Sequence, residues 1–185
     1  MKSYDAGPIS PPLLEETIGD NFERTVATHP DVEALVDVIA ERRWTYAELN
    51  AEIDLIARGL MSLGVQHGDR VGVWSPNCAE WVMTQYATVK TGAILVNINP
   101  AYRTHELGYV LDQSGVRMLI AATAFKSSDY RAMVEEVRPN ATDLRDVVFL
   151  DTDDWINLRD RAELVSPDAL RSRMAALDNR EPINI

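Results

Sequence analysis

Cysteine is almost absent from this sequence, since Cys78 is the only one among its 185 residues. A single thiol excludes an internal disulfide, and disulfides are the usual mark of small secreted domains. The first residues lead into a segment rich in glycine and proline instead of an apolar stretch, which argues against a secretory signal. These features predict a cytoplasmic protein.

Long apolar runs and positive charge are also scarce. No apolar run approaches the roughly 20 residues that a membrane-spanning helix needs. The chain carries 18 Lys and Arg against 29 Asp and Glu, for a formal net charge of −11. That balance opposes long-range attraction to nucleic acid and to anionic lipid. Nucleic acid is therefore excluded as an expected partner, and peripheral membrane contact is left open.

Glycine does not occur after Gly115, and no Gly-Lys pair occurs anywhere. Phosphate groups are usually held by closely approaching backbone amides, which favour glycine, together with a lysine or a helix amino terminus. The dinucleotide fingerprint Gly-x-Gly-x-x-Gly is missing too. No cofactor-binding residue is assigned, and ATP binding by this chain alone is not expected.

Metal ligands and nucleophiles show no recognisable pattern. The three histidines are far apart, at His29, His67 and His105. The acidic run at 151–154 lacks the glycine turn and distal glutamate of a calcium loop, and a solvated acidic loop is expected there. Cys78 has no adjacent base and is expected to be a partly buried structural residue. The metal and catalytic assignments are therefore both none.

The length and composition of the chain indicate one globular domain. A hydrophobic fraction of 46% and a charged fraction of 25% are ordinary for a soluble protein. Gly7, Pro8, Pro11 and Pro12 interrupt the start. Residues 1–12 are therefore expected to be a flexible lead-in, and residues 13–185 the domain.

The early elements are indicated by apolar spacing and capping signals. A helix is predicted from Leu13 to near His29, followed by a hairpin with strands at 33–37 and 42–45. Thr45 and Glu48 have the spacing of a capping box, and Gly64 suits a left-handed helix end. A second helix is therefore predicted between these two signals.

Strands and helices then alternate. Apolar strands are predicted at 71–74, 93–96, 118–121 and 147–150, with helices at 78–90, 105–114 and 125–137. Asn77 is the predicted cap of the first of these helices and has the capping-box spacing with Glu80, and Ser166 caps a last helix that begins at Pro167. Continuously apolar strands are typical of a parallel sheet covered on both faces. The predicted fold is a doubly wound, mostly parallel α/β sheet with helices on both faces.

In such a sheet, ligands bind beyond the carboxyl ends of the strands. The corresponding loops are 75–77, 97–102 and 123–124, and the second has the most polar groups. Asn97, Asn99 and Tyr102 are therefore the candidate residues beside a substrate site. The alternative is that Asn99 and Pro100 form only a turn and that Tyr102 only packs.

Three stretches carry a family resemblance: WSPN with EW at 74–81, KTGAILVNINPAY at 90–102 and HELGYVL at 105–111. In their order and spacing they resemble the amino-terminal part of the adenylate-forming, AMP-binding acyl-CoA synthetases. FKSSDY at 125–130 further resembles the fatty-acid–CoA ligase branch. The resemblance extends from about residue 14 to residue 185.

The resemblance implies a parent enzyme that activates a fatty acid with ATP and Mg²⁺ and transfers the acyl group from the acyl-adenylate to coenzyme A. Members of that family are considerably longer, and their phosphate loop lies just beyond a stretch that resembles residues 181–185. The chain is therefore expected to be an inactive amino-terminal subdomain. Its expected partners are the rest of its own enzyme and, through an uncovered sheet edge, further copies of itself.

Two other classes of function stay open at this point. The chain can be a self-standing interaction or regulatory module derived from such an enzyme. It can also be a binding domain that holds an acyl chain or a nucleotide without reacting it.

Overall fold

The computed structural model describes residues 3, 5–8 and 10–185. Within them the elements are, in chain order, α1 (Ile18–Thr28), β1 (Glu33–Asp37), β2 (Arg42–Thr45), α2 (Tyr46–Ser62), β3 (Arg70–Trp74), α3 (Ala79–Thr91), β4 (Ile94–Ile98), α4 (Thr104–Ser114), β5 (Val116–Ala121), β6 (Ala124–Phe125), β7 (Ser128–Asp129), α5 (Tyr130–Val137), β8 (Asp146–Phe149), α6 (Asp153–Asp160), a 3-10 turn (Arg161–Leu164) and α7 (Pro167–Met174). None of the helices in these ranges is long and apolar enough to cross a membrane.

The main sheet has four strands in the order β4-β3-β5-β8, and every neighbouring pair is parallel. Its strands end in register, because Trp74 lies opposite both Ile98 and Ala121, and Ala121 lies opposite Phe149. The four chain segments that follow these residues therefore leave the sheet at the same edge.

Side chains on the two faces of the sheet enter two separate cores. Met118 and Ile120 of β5 pack with α2 and α3, whereas Leu119 and Ala121 pack with α4 and α5. Successive strand residues point to opposite faces, so both faces of β5 are apolar. The predicted doubly wound α/β fold with helices on both faces is confirmed.

The predicted ends of α2 are confirmed as well. The Thr45 hydroxyl accepts from the Glu48 amide at 3.3 Å, and the Glu48 carboxylate accepts from the Thr45 amide at 2.9 Å. The Thr45 hydrogen bonds lower the pKa of the Glu48 carboxyl. Gly64 has a φ of +79° and donates to Met61 O, so the chain turns there as the sequence indicated.

Two predicted helix boundaries are wrong. The first helix begins at Ile18 instead of residue 13, because Thr17 accepts from the Asp20 amide and leaves Leu14 outside the helix. The helix predicted at 125–137 begins only at Tyr130, after a tight hairpin of β6 and β7. The Asp129 carboxylate caps this helix by accepting from the Ala132 amide.

The acidic run at 151–154 is also not the solvated loop that was expected. Thr152 caps α6 by accepting from the Asp154 amide, and Asp153 and Asp154 lie in the first helical turn. Carboxylates at that position are favoured by the positive end of the helix dipole. The run of acidic residues is therefore a helix start.

The last residues pair with the sheet. The Leu95 amide donates to Ile183 O at 2.9 Å, the Ile185 amide donates to Leu95 O at 2.8 Å, and the bridge between Leu95 and Asn184 is parallel. Residues 183–185 therefore extend the sheet by a short segment outside β4, running in the same direction as β4.

Candidate functional site

The ends of the parallel strands form one rim, made of residues 75–78, 99–103, 122–123 and 150–151. Of the three candidate residues beside the predicted substrate site, Asn97 lies within β4 instead of in the following loop. The Asn97 side chain is exposed, and the Asn97 backbone N–H donates to Ile185 O at 3.2 Å. The strand extends two residues further than predicted because its backbone continues to pair with β3 through Ile98.

Asn99 and Tyr102 lie together in one turn of the rim. The Asn99 side-chain oxygen accepts from the Ala101 amide at 2.9 Å, and the Asn99 carbonyl accepts from the Tyr102 amide at 3.0 Å. Asn99 is exposed, and Tyr102 is half-buried against the core beneath α4 and α5. The turn and the packing of the alternative interpretation are both present, and the Asn99 side chain also faces solvent at the rim.

A buried aromatic pair supports this turn, and the sequence reading missed it. The Trp74 and Tyr130 rings stack with their centroids 3.5 Å apart and their planes 2° apart. The Trp74 indole donates to Asn99 O at 3.1 Å, and the Tyr130 hydroxyl donates to Pro100 O. No local sequence signal predicts the pair. The predicted helix at 125–137 has Tyr130 near its middle, whereas Tyr130 is the first residue of α5 in the structure.

Charged groups beside the turn are already bound to their neighbours. The Arg103 guanidinium donates to Ser128 Oγ at 2.7 Å, and the Arg103 amide donates to the Glu106 carboxylate at 3.0 Å. Backbone hydrogen bonds from Glu106 and Arg103 lower the pKa of the Glu106 carboxyl. These contacts hold the start of α4 in place.

The loop after β3 offers no nucleophile. Burial raises the pKa of the Cys78 thiol, although a hydrogen bond from Ser75 acts in the opposite direction. The predicted cap Asn77 is wrong, since Cys78 occupies the cap position of α3 and its side chain makes no cap hydrogen bond. The Glu80 carboxylate, expected to complete a capping box, instead accepts from Arg42 of the β1–β2 hairpin at 2.6 Å.

A cleft of about 390 Å³ opens between the hairpin, α3 and α6. Its most conspicuous charged groups are paired within the wall: Arg42 with Glu80, and Arg159 with Glu52 at 2.8 Å. Each arginine binds its carboxylate through a terminal guanidinium nitrogen, while Arg42 Nε and Arg159 Nε are buried without a hydrogen-bond partner in the described part of the chain. Because the carboxylates of these pairs are already occupied, the cleft is a less suitable place for chemistry than the rim.

The rim residues do not fit a magnesium–triphosphate group by themselves. Among the described residues, no group of three or more His, Cys, Asp or Glu side chains is arranged to hold a metal ion. The cation at the turn, Arg103, is bound to Ser128. We therefore derive no step through ATP or Mg²⁺ from this chain.

Burial raises the pKa of the Tyr130 phenol to about 12, against a usual value of about 10. Because the unfolded chain loses this proton first, the Tyr130 contribution to stability is complete below pH 10 and is lost as the pH rises towards 12. Urea unfolding across that range should show a steeper loss of stability in the wild type than in Tyr130→Phe. The same pH dependence in both proteins would contradict the assignment.

Comparison with known proteins gives these features a context. The profile of the family described as "AMP-binding enzyme" matches residues 22–185. A relative from Macaca fascicularis, named medium-chain acyl-CoA ligase ACSF2, mitochondrial, is 42% identical over 137 residues, which are 74% of this chain and 22% of that protein. A putative acyl-CoA synthetase, YngI, of Bacillus subtilis is 31% identical over 192 residues and covers 94% of this chain and 35% of its own length.

Among solved structures, the N-terminal domain of FACL13 from Mycobacterium tuberculosis matches with a TM-score of 0.66 at 24% identity, over 90% of this chain and 38% of that one. This likeness shows the fold, which is that of the N-terminal subdomain of acyl-CoA synthetases. The chain thus spans about a fifth to a third of the curated relatives that it matches. Because the family profile matches most of its length, the chain belongs to the AMP-binding enzyme family of acyl-CoA ligases.

Proposed function

We propose that this chain is the amino-terminal part of a fatty-acyl-CoA synthetase. The whole enzyme would activate a fatty acid with ATP and Mg²⁺ as an acyl-adenylate and transfer the acyl group to coenzyme A. The name of the Macaca fascicularis relative, a medium-chain acyl-CoA ligase, supports a fatty acid as the substrate. A cytoplasmic location is part of the proposal. The relative's mitochondrial name makes fractionation of the native protein a direct check.

The direction of residues 183–185 is the observation that carries this proposal. They run parallel to β4, and Ile185 O accepts from the amide of Asn97 near the carboxyl end of that strand. A residue placed after Ile185 would therefore leave the sheet at the rim, beside Asn99. In the resembled family the phosphate loop follows this stretch, so the loop would reach the edge where Asn99 and Tyr102 are held.

The chain's own part in this function is to shape one wall of the joined site. Asn99 offers an exposed amide, and Tyr102 offers a half-buried ring on the same turn. Groups that bind phosphate and metal would come from the rest of the enzyme. This division of roles agrees with a rim whose one arginine, Arg103, is already bound to Ser128.

We predict that the 185-residue chain alone catalyses no pyrophosphate exchange with ATP and a fatty acid. The described residues lack a glycine-rich loop, and Arg103, the cation at the 99–102 turn, is bound to Ser128, so neither offsets the charge of a triphosphate in its transition state. Exchange measured with radiolabelled pyrophosphate should equal that of a blank without protein. Exchange that follows the chain through successive purification steps would refute the expectation.

A chimera tests the positive part of the proposal. Residues 1–185 would replace the matching region of the Bacillus subtilis relative, and acyl-CoA formation would be measured with fatty acids of increasing length. Asn99→Ala/Tyr102→Ala should lower kcat/KM by about tenfold or more, because both side chains lie at the rim. The control, Asn157→Ala/Tyr109→Ala, changes exposed residues on α6 and α4 and should leave activity unchanged. An inactive chimera beside an active relative would count against the proposal.

A further inference from the structure

The Trp74–Tyr130 pair, which we call the aromatic clasp, connects three segments of the rim. Its two polar atoms bind consecutive carbonyls of the turn, Asn99 O and Pro100 O. The backbone of the same two residues binds the segment after β5, because Trp74 O accepts from the Ala122 amide at 3.0 Å and the Tyr130 amide donates to Thr123 O at 3.1 Å. The ends of β3, β4 and β5 are therefore joined through one stacked unit.

Both rings of the clasp are fully buried, with an exposed fraction of 0%. Hydrogen bonds in such surroundings are stronger than in water, and leaving a buried carbonyl without its donor raises the free energy of the folded state. The turn therefore has a single favoured position relative to β3 and α5. With Asn99 O and Pro100 O held inward, the Asn99 side chain is presented to solvent.

We propose that Tyr130 is a positioning residue for the reaction of the whole enzyme. It acts through the aromatic clasp by holding the 99–102 turn, so that Asn99 and Tyr102 face the reacting groups in a fixed geometry. This inference rests on the proposed function. A displacement of about 1 Å at such a wall is enough to reduce a rate by orders of magnitude, although no atom of Tyr130 has to touch a substrate.

Tyr130→Phe tests the role of the hydroxyl, because it retains the stacked ring. The matched control is Tyr86→Phe, whose ring packs on Phe22 with a centroid distance of 4.4 Å in the other core. Hydrogen exchange on the 185-residue chain should show faster exchange of the Ala101 and Tyr102 amides in Tyr130→Phe. Amides of α2 should be unaffected, and Tyr86→Phe should leave the rim unchanged.

The same two variants are then made in the chimera. Tyr130→Phe should lower kcat per folded enzyme by about tenfold with little change in KM. In the Asn99→Ala/Tyr102→Ala background, Tyr130→Phe should have almost no further effect, because the side chains that it positions are gone. If Tyr130 had only a structural role, Tyr130→Phe would reduce the folded fraction to a similar extent in both backgrounds and leave kcat per folded enzyme unchanged.

The outcomes separate this inference from the proposed function. An inactive wild-type chimera contradicts the proposed function, and amide exchange alone then decides whether the clasp holds the turn. Unchanged exchange at Ala101 and Tyr102 overturns the clasp whatever the activity. Faster exchange with an unchanged kcat in an active chimera overturns the positioning role.

Discussion

Replacing Gly59 with alanine is expected to destabilise the fold by about 3 kcal/mol. A Cβ at this position of α2 would lie 2.1 Å from the Leu158 carbonyl oxygen and 3.1 Å from the Leu158 carbonyl carbon. Both are backbone atoms at the α6 end of the contact, and Leu158 itself is buried, so a rotamer change cannot relieve the clash. One of the two helices has to move.

Gly108→Ala is the matched control, because Gly108 also lies within a helix. There a Cβ would meet Val137 Cγ1 at 3.6 Å, which is ordinary contact. Alanine is favoured over glycine in helices, so this variant should gain about 0.5–1 kcal/mol. Urea unfolding of the two variants should move the midpoint in opposite directions. A Gly59→Ala protein as stable as wild type would show that α6 is not held this close to α2.

The loss of the Lys90 ammonium is expected to have an effect of similar size. Lys90 is completely buried in α3, and its Nζ donates to Asn50 Oδ1 and Asp54 Oδ1, each at 2.6 Å, and to Glu23 Oε1. The three acceptors belong to α1 and α2. Lys90→Ala leaves two facing carboxylates without their cation and removes a buried side chain, and should destabilise by about 3 kcal/mol.

Lys90→Met separates the charge from the packing, because methionine keeps most of the buried stem. It should destabilise less than Lys90→Ala, and the difference measures the packing contribution. Lys126→Ala removes an exposed lysine from the β6–β7 hairpin and should change stability by less than about 0.5 kcal/mol. Chemical denaturation of all three variants provides the comparison. An effect of Lys90→Ala as small as that of Lys126→Ala would mean that the network contributes little.

The environment of Lys90 could be predicted from the sequence only in part. The helix at 79–91 is apolar on nearly every side, so a lysine near its end had to be either exposed or paired. Which of the two holds depended on Glu23 and Asp54, which lie 67 and 36 residues away along the chain. The sequence pattern therefore limits Lys90 to these two environments, and the packing of α1 and α2 against α3 determines that Lys90 is paired.

The candidate site was predicted only in part. The rule that ligands bind beyond the carboxyl ends of parallel strands led to Asn97, Asn99 and Tyr102. The structure places Asn99 and Tyr102 in one turn and Asn97 within the edge strand beside residue 185. Whether these residues take part in a reaction stays a prediction. The support of the turn by Trp74 and Tyr130 could not be derived, because it depends on where α5 begins.

Local chemistry by itself determined those elements whose signals lie within a few residues of one another. Thr45 with Glu48, Ser166 with Pro167, and the glycines at 64, 92 and 115 mark helix ends through contacts that need no distant partner. The continuously apolar strands likewise required a covered parallel sheet. The tertiary structure decided the remaining features, in which both a local and a long-range partner are available to a side chain. The Glu80 carboxylate binds Arg42 instead of capping its helix, and the Trp74 and Tyr130 rings stack at the rim. Burial makes such long-range hydrogen bonds and ion pairs stronger than the local contacts that compete with them.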